Sequence, residues 1–377
     1  MTIGIDARMY RSSVAGIGRY SQNLIKNLLE IDKKNRYVFF MTSDDIKEVN
    51  PKSEIRNQKH KIVEVDIPHY SLAEQTKMPD IIAKEYCDLM VFLNTNYPVR
   101  YRGKFIVVIH DLTLYFFPKT ARKTGFLREK AFNFVLKSAV KKSTKIITDS
   151  ENTQNDILKV FHPNPKKIVV IKLAADDKTF VDASEKNIER IKNQFKIDTP
   201  MILYVGQFRA HKNIAHLVKA FDIIRKKTPA KLVLVGKPDP NYQELVETID
   251  KSPYKSDIIM PGFVSDEDLT AWYRIATCYV FPSLYEGFGL PGLEAMMAKT
   301  AVVSSNHSSL PEIYGEAALY FNPEKPDEMA EKIERVLTDE NLRQSLIKKG
   351  SEMIKKYSWR KTAEETLAVF NEILNKK

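Results

Sequence analysis

Residues 281–298 read Phe281-Pro-Ser-Leu-Tyr-Glu286-Gly-Phe-Gly-Leu290-Pro-Gly-Leu-Glu294-Ala-Met-Met-Ala298. The apolar run Tyr279–Phe281 fits a buried strand entering this stretch. Gly287 and Gly289 allow backbone angles and close ligand approach that a β-carbon would block. Pro291 suits the first turn of a helix, which Leu293, Ala295, Met296, Met297 and Ala298 continue. Strand, glycine loop and helix start thus follow one another, with Glu286 before the loop and Glu294 inside the helix. A helix start has free N–H groups that attract anions, and flanking carboxylates accept hydroxyl groups. A ligand with phosphate in its middle and hydroxyls at both ends fits this pattern, as a nucleotide sugar does. A plain corner with two solvated glutamates fits it equally.

Working outward, strand-like and helix-like runs alternate on both sides. Strands are expected at Ile3–Asp6, Tyr37–Met41, Lys61–Val65, Leu89–Leu93, Phe105–Ile109, Lys145–Thr148 and Ile168–Ile171. The alternation pauses over 174–198, which are polar, and restarts at Met201–Val205, Lys231–Val235 and Asp257–Met260. A helix over Ser71–Tyr86 should be interrupted near Pro79. The order implies an α/β protein of two doubly wound, Rossmann-like domains. The expected boundaries are 1–175, 176–356 and a closing helix over 357–377. At 377 residues the chain exceeds one ordinary core.

The segment Glu286-x7-Glu294 within YEGFGLPGLEAM resembles the signature of the retaining glycosyltransferases of family 4, which have the GT-B fold. Further resemblances are GIGRY at 16–20, His110 after a strand, G…HKN at 206–213, GFV at 262–264 and SLPE at 309–312, so that nearly the whole chain is covered. The pattern looks particularly like bacterial mannosyltransferase-type members that build surface glycans. The resemblance implies two domains facing a cleft, the first binding the acceptor and the second the nucleotide sugar, with the closing helix returning to the first.

Residue by residue, it implies that Glu294 accepts ribose hydroxyls. Glu286 and the Phe288, Gly289 and Leu290 backbone position the sugar, and Phe263 and Val264 lie by the base. Lys212 matches the family's diphosphate-stabilising lysine. The arginine position after the glycine holds Gln207, so Arg209 is the candidate and His211 a lesser one. Independently of family, these cations sit beside a helix start, where diphosphate charge is well held. In the first half, His110 follows a strand, a usual place for ligand contact, where a hydrogen-bonded structural histidine also fits; in the family it touches the donor sugar. Gly16 and Gly18 make a partial dinucleotide fingerprint whose third glycine is Ser21, so a plain tight turn fits as well as phosphate contact.

Asp266-Glu-Asp268 spells a metal–diphosphate motif, but Ser265 and Asp268 form a capping pattern before an apolar helix, which is the expected role. No His/Cys cluster has metal-ligand spacing, and neither a metal nor a cofactor is expected.

The net charge of +11 is lopsided: residues 1–175 hold 30 Lys and Arg against 18 Asp and Glu, and the remainder 29 against 30. An anionic partner is expected for the first half. Residues 118–145 carry nine Lys/Arg and one acid, interleaved with Phe126, Leu127, Phe132, Phe134, Val135, Leu136 and Val140. A basic helix over 119–145 lying on an anionic membrane surface fits. So does an ordinary helix packed on the sheet with a solvated basic face. No nucleic-acid motif accompanies the charge. Cys87 and Cys278 sit in apolar runs, which excludes a disulfide framework. The chain opens directly as a strand and has no bilayer-length apolar run, so a cytoplasmic protein, peripheral on the inner membrane face, is expected.

The expected reaction moves a hexose, mannose from GDP-mannose first, from a nucleoside diphosphate sugar to a glycan or lipid-linked acceptor with retention. Donors such as UDP-glucose or a UDP-N-acetylhexosamine fit the same residues. A glycosidase using the two glutamates, a nucleotide-sugar epimerase and a non-catalytic nucleotide-sugar-binding membrane scaffold are the competing classes.

Overall fold

The computed structural model describes every residue except 12, 13, 15, 119–124, 176–182, 240, 241, 376 and 377. The chain divides into two compact units. The first comprises Met1–Pro118, Lys123–Leu173 and Ser358–Lys377, and the second is built on Ala174–Tyr357.

The first unit holds a seven-stranded sheet: β1 (Thr2–Asp6), β2 (Arg36–Met41), β3 (Lys61–Glu64), β4 (Leu89–Phe92), β5 (Phe105–Ile109), β6 (Lys145–Thr148) and β7 (Ile168–Val170). The spatial order is β3-β2-β1-β4-β5-β6-β7 and every pairing is parallel. Strands β4 and β5 are apolar at every position because both faces are covered, and all nine residues are buried. The Gly16–Ile31 helix buries Tyr20, Leu24, Ile25, Leu28 and Leu29, a stripe at helical spacing. It packs against the last helix, Trp359–Asn375, with the Tyr20 and Trp359 rings 6.1 Å apart. Thr362 of that helix donates to the Lys172 carbonyl at 2.8 Å.

The second unit holds six parallel strands: β8 (Met201–Val205), β9 (Lys231–Val235), β10 (Ile258–Gly262), β11 (Cys278–Phe281), β12 (Ala301–Ser305) and β13 (Ala318–Phe321), in the order β10-β9-β8-β11-β12-β13. Ile214, Leu217, Val218, Phe221 and Ile224 of the Ile214–Arg225 helix pack on Ile202, Leu232 and Leu234. Each such buried side chain contributes on the order of 2 kcal/mol.

Three expectations need correction. The helix at Leu72–Ala83 runs through Pro79 without interruption. The polar stretch 174–198 is not all connection: Glu185–Phe195 is a helix, capped by Ser184 and held by Phe195 against Trp272 at 5.1 Å. Its polarity hid it, since only Ile191 is fully buried. The basic segment forms a helix over Phe126–Lys142, shorter than 119–145, and Lys119, Arg122 and Lys123 lie outside the described residues. Only Leu136, Ala139 and Val140 of that helix are buried, whereas Phe126, Leu127 and Phe134 are 69%, 80% and 64% exposed. Cys278 is buried and Cys87 half-buried, both as free thiols.

Candidate active site

In both sheets the strand order reverses once, between β1 and β4 and between β8 and β11. Open parallel sheets bind ligands at the carboxyl ends of strands at this reversal, because adjacent loops there diverge to opposite faces and leave a crevice.

In the second unit the loops after β8 and β11 are tied together at that point. Leu284 N–H donates to the His211 carbonyl at 2.8 Å. Asn213, in the left-handed region at φ 60°, donates from Nδ2 to the carbonyls of Pro282 (3.1 Å) and Pro323 (2.7 Å). These bonds bring Lys212 to Glu286, Nζ to Oε1 at 2.6 Å. Arg209 lies half-buried three residues before Lys212, at the N-cap of the short Ala210–Lys212 turn. His211 is buried, and burial, with Lys212 and Arg209 beside it, pushes its pKa down to about 2. Its protonated form is thereby disfavoured, which leaves Arg209 as the cationic one of the two candidates.

Helix Leu290–Met297 begins at the other end of the β11 loop. Its N-cap is Gly289 at φ 101°, a conformation that disfavours any side chain. No side chain caps the helix; Pro291 has no N–H and Gly292 N–H donates to the Gly289 carbonyl at 3.2 Å, so in the first turn the Leu290 N–H is the donor left for an anion. Glu294 is buried within the helix and accepts from the Tyr273 hydroxyl at 3.0 Å. The Phe288 ring packs edge-on against Tyr357 at 5.8 Å, so Phe288 offers a ligand its backbone rather than its ring. Leu290 is half-buried at the first helical position. Phe263 follows the carboxyl end of β10, is 88% exposed, and stands beside the half-buried Val264. The Asp266–Ile275 helix starts with Ser265 accepting from Asp268 N–H at 3.2 Å, and the Asp268 carboxylate is engaged by Arg190. That segment is a capped helix start.

In the first unit, Gly16 and Gly18 occupy the first turn of the Gly16–Ile31 helix rather than a turn before it. A β-carbon on Gly18 would overlap the Arg11 carbonyl, while Gly16 faces open space. His110 follows β5 and uses both ring nitrogens: Nδ1 donates to Asp149 Oδ2 at 2.7 Å and Nε2 to the Leu93 carbonyl at 3.1 Å. Burial would lower the His110 pKa, but the Asp149 charge and hydrogen bond outweigh this and raise it. Burial raises the Asp149 pKa as well, so the histidine and the carboxyl share a proton across the Nδ1–Oδ2 contact. Tyr20 meets the ring edge-on at 4.7 Å. Asp149 escaped the sequence reading although it directly follows β6, where strand-end logic points. Beneath this edge, the fully buried Arg8 pairs with Asp6 (2.7 Å) and Glu74 (2.6 Å). Asp6, His69 and Glu74 also have ligand atoms close enough to surround a cation, and the Arg8 guanidinium already fills that place.

Residues 185–353 match the family described as glycosyl transferases group 1. The chain carries this match wholly within its second unit. It is 27% identical over 372 residues to the O-antigen chain mannosyltransferase B of Escherichia coli, covering 95% of this chain and 96% of that protein. It is 33% identical over 198 residues to the serotype-specific mannosyltransferase WbdA of Escherichia coli, covering 52% of this chain and 24% of that longer protein. The sucrose-phosphate synthase structure from Thermosynechococcus elongatus superposes with a TM-score of 0.79 at 20% identity, covering both chains completely. That likeness is one of fold, and it is the GT-B fold that the motifs implied. Lys212, Glu286, the uncapped helix start and Glu294 all lie within the residues that match the family.

Proposed function

We propose that this enzyme transfers mannose from GDP-mannose, with retention, to a hydroxyl of a glycan or lipid-linked acceptor in surface polysaccharide synthesis. The observation that carries the reading is the convergence at the β8/β11 reversal: Lys212 against Glu286 on one side of Gly289, and an uncapped helix start on the other. A diphosphate at the helix start would meet the Leu290 N–H and the Lys212 ammonium together, and the departing charge would be stabilised electrostatically. Lys212 would exchange part of its Glu286 contact for phosphate, which frees a Glu286 oxygen for sugar hydroxyls. Glu294, oriented by Tyr273, accepts ribose hydroxyls. Arg209 adds charge to the diphosphate. Phe263 and Val264 are assigned to the base, and Gly16, Gly18 and His110 are the first unit's candidates. The choice of mannose is supported by the relatives named above, both mannosyltransferases.

The reading assigns charge neutralisation to Lys212 and Arg209 rather than to a metal, because the one D-x-D segment caps a helix and is engaged by Arg190. It further places the enzyme in the cytoplasm, peripheral on the inner membrane face through the Phe126–Lys142 helix. That helix joins exposed Phe126, Leu127 and Phe134 to Arg128, Lys130 and Lys137, with Lys130 Nζ 4.2 Å above the Phe126 ring. Among the described residues no helix is long and apolar enough to cross a membrane.

The deciding experiment is a thermal-shift panel of nucleoside diphosphates followed by their sugars, with and without chelator. GDP and GDP-mannose should raise the melting temperature most, by mass action, and product analysis with glycan acceptors should then show transfer. Selective stabilisation by UDP-sugars would replace the donor, and chelator sensitivity would restore a metal. Sedimentation with liposomes tests the helix: binding should need anionic lipid and fall when Phe126 and Leu127 become serine.

A further inference from the structure

The donor loop does not hold its own shape. Its backbone is bonded at both ends to one neighbouring segment, Ser308–Tyr314, which follows β12. At the sugar end, Glu286 N–H donates to Ser308 Oγ at 2.9 Å and Ser309 Oγ donates to the Glu286 carbonyl at 3.0 Å. At the diphosphate end, the Tyr314 hydroxyl donates to the Gly289 carbonyl, which also accepts from Gly292 N–H at 3.2 Å. The Tyr314 ring fills the space where side chains on Gly289 and Gly292 would sit. Ser309 and Tyr314 are both fully buried, so neither hydroxyl is available to a ligand.

We propose that Ser308, Ser309 and Tyr314 are positioning residues that set the two ends of the donor loop separately, Tyr314 fixing the diphosphate cradle and the serine pair fixing Glu286 for the sugar. This rests on the donor-site reading above. The physical reason for a separate brace is the loop's own composition. Two glycines in four residues cost backbone entropy when ordered, and the loop is bounded by a helix start that no side chain caps. A buried Tyr hydroxyl aimed at a backbone carbonyl removes that freedom without occupying the ligand's space. Oriented N–H groups are effective for a developing charge only when already in place.

The test uses full-length protein and titration calorimetry with GDP-mannose, GDP and GMP, or the uridine series if that is the one bound. Tyr314→Phe removes one hydroxyl and keeps the wedge. It should weaken GDP about three- to tenfold, the worth of one buried hydrogen bond, and leave GMP unchanged. Ser309→Ala should leave GDP unchanged and reduce the preference for GDP-mannose over GDP by a similar factor. Melting temperatures of both variants calibrate general loosening. Equal losses for all three ligands in both variants, or no loss in either, overturn the brace while the donor site stands. Failure of the unmodified protein to bind any nucleoside diphosphate or its sugar removes the donor reading, and the brace with it.

Discussion

Lys212 Nζ stands 2.6 Å from Glu286 Oε1, with the two side chains 20% and 11% exposed. They are 74 residues apart in sequence and meet because β8 and β11 are neighbours in the sheet. The pair neutralises a carboxylate and an ammonium that would each be costly to desolvate alone. Lys212→Ala should therefore lower the turnover of GDP-mannose about 100- to 1,000-fold, the usual loss when one charge-stabilising donor is removed. Lys212→Arg should retain more. Release of nucleoside diphosphate in the presence of acceptor measures both, and an unchanged rate in Lys212→Ala would remove the residue from the reaction.

The His110–Asp149 pair predicts a pH dependence of stability. The folded pKa of His110 is raised above its ordinary 6.5, with the Asp149 carboxylate outweighing burial. A raised folded pKa means stability fully present below pH 6.5 and lost as pH rises through the folded value. Asp149→Asn removes the carboxylate and leaves burial, which lowers the pKa, so the slope above neutrality should vanish. Overall stability should fall by about 3 kcal/mol, as for a broken buried pair. Melting curves between pH 6 and 9 on both proteins decide this.

Arg8 predicts the opposite limb. The pKa values of Asp6 and Glu74 are lowered: burial would raise both, but it is outweighed at Asp6 by Arg8 and at Glu74 by the His69 hydrogen bond together with the Arg8 charge. Their contribution is present above the ordinary values of 3.8 and 4.5 and is lost as pH falls through the lower folded values. Glu74→Gln should destabilise the protein at pH 7 by about 3 kcal/mol and flatten its acid unfolding. Urea melts at pH 7 and at acid pH provide the comparison. A variant as stable as the parent at pH 7 would show that Asp6 alone suffices for Arg8.

Gly292→Ala drives a methyl group into the Tyr314 ring. Overpacking of this kind costs about 1–3 kcal/mol, and the displaced helix start should bind GDP less tightly. In a Tyr314→Ala background the space exists, so the added cost of Gly292→Ala should largely disappear. A double-mutant cycle in denaturant melts measures the difference, and additive losses would mean that the two residues do not meet.

Much of the site was legible as local chemistry. Glycine spacing, Pro291 in the first helical turn and the Ser265 cap are properties of a few adjacent residues, and a helix begins at each expected place. The alternation of apolar strands and helices gave the two parallel sheets, since strands buried on both faces have no polar positions to hide them. The Pro79 expectation failed because Pro79 sits inside a helix anchored by its buried residues Glu74, Met78 and Ile82, and tertiary packing outweighs a propensity penalty of about 3 kcal/mol.

The sequence alone determined the alternation of strands and helices within each half, the resemblance to a glycosyltransferase family and the residue types beside each strand end, because backbone propensity and hydrophobic periodicity act over a few residues. Only the tertiary structure decided that His211 is buried, which pushes its pKa down. It alone decided that Asp149 and Leu93 occupy both nitrogens of His110, and that Tyr314 lies beneath Gly289 and Gly292. Those facts depend on which loops become neighbours when strands pair and on what burial does to charge. Residues far apart in sequence acquire them only when the sheet has formed.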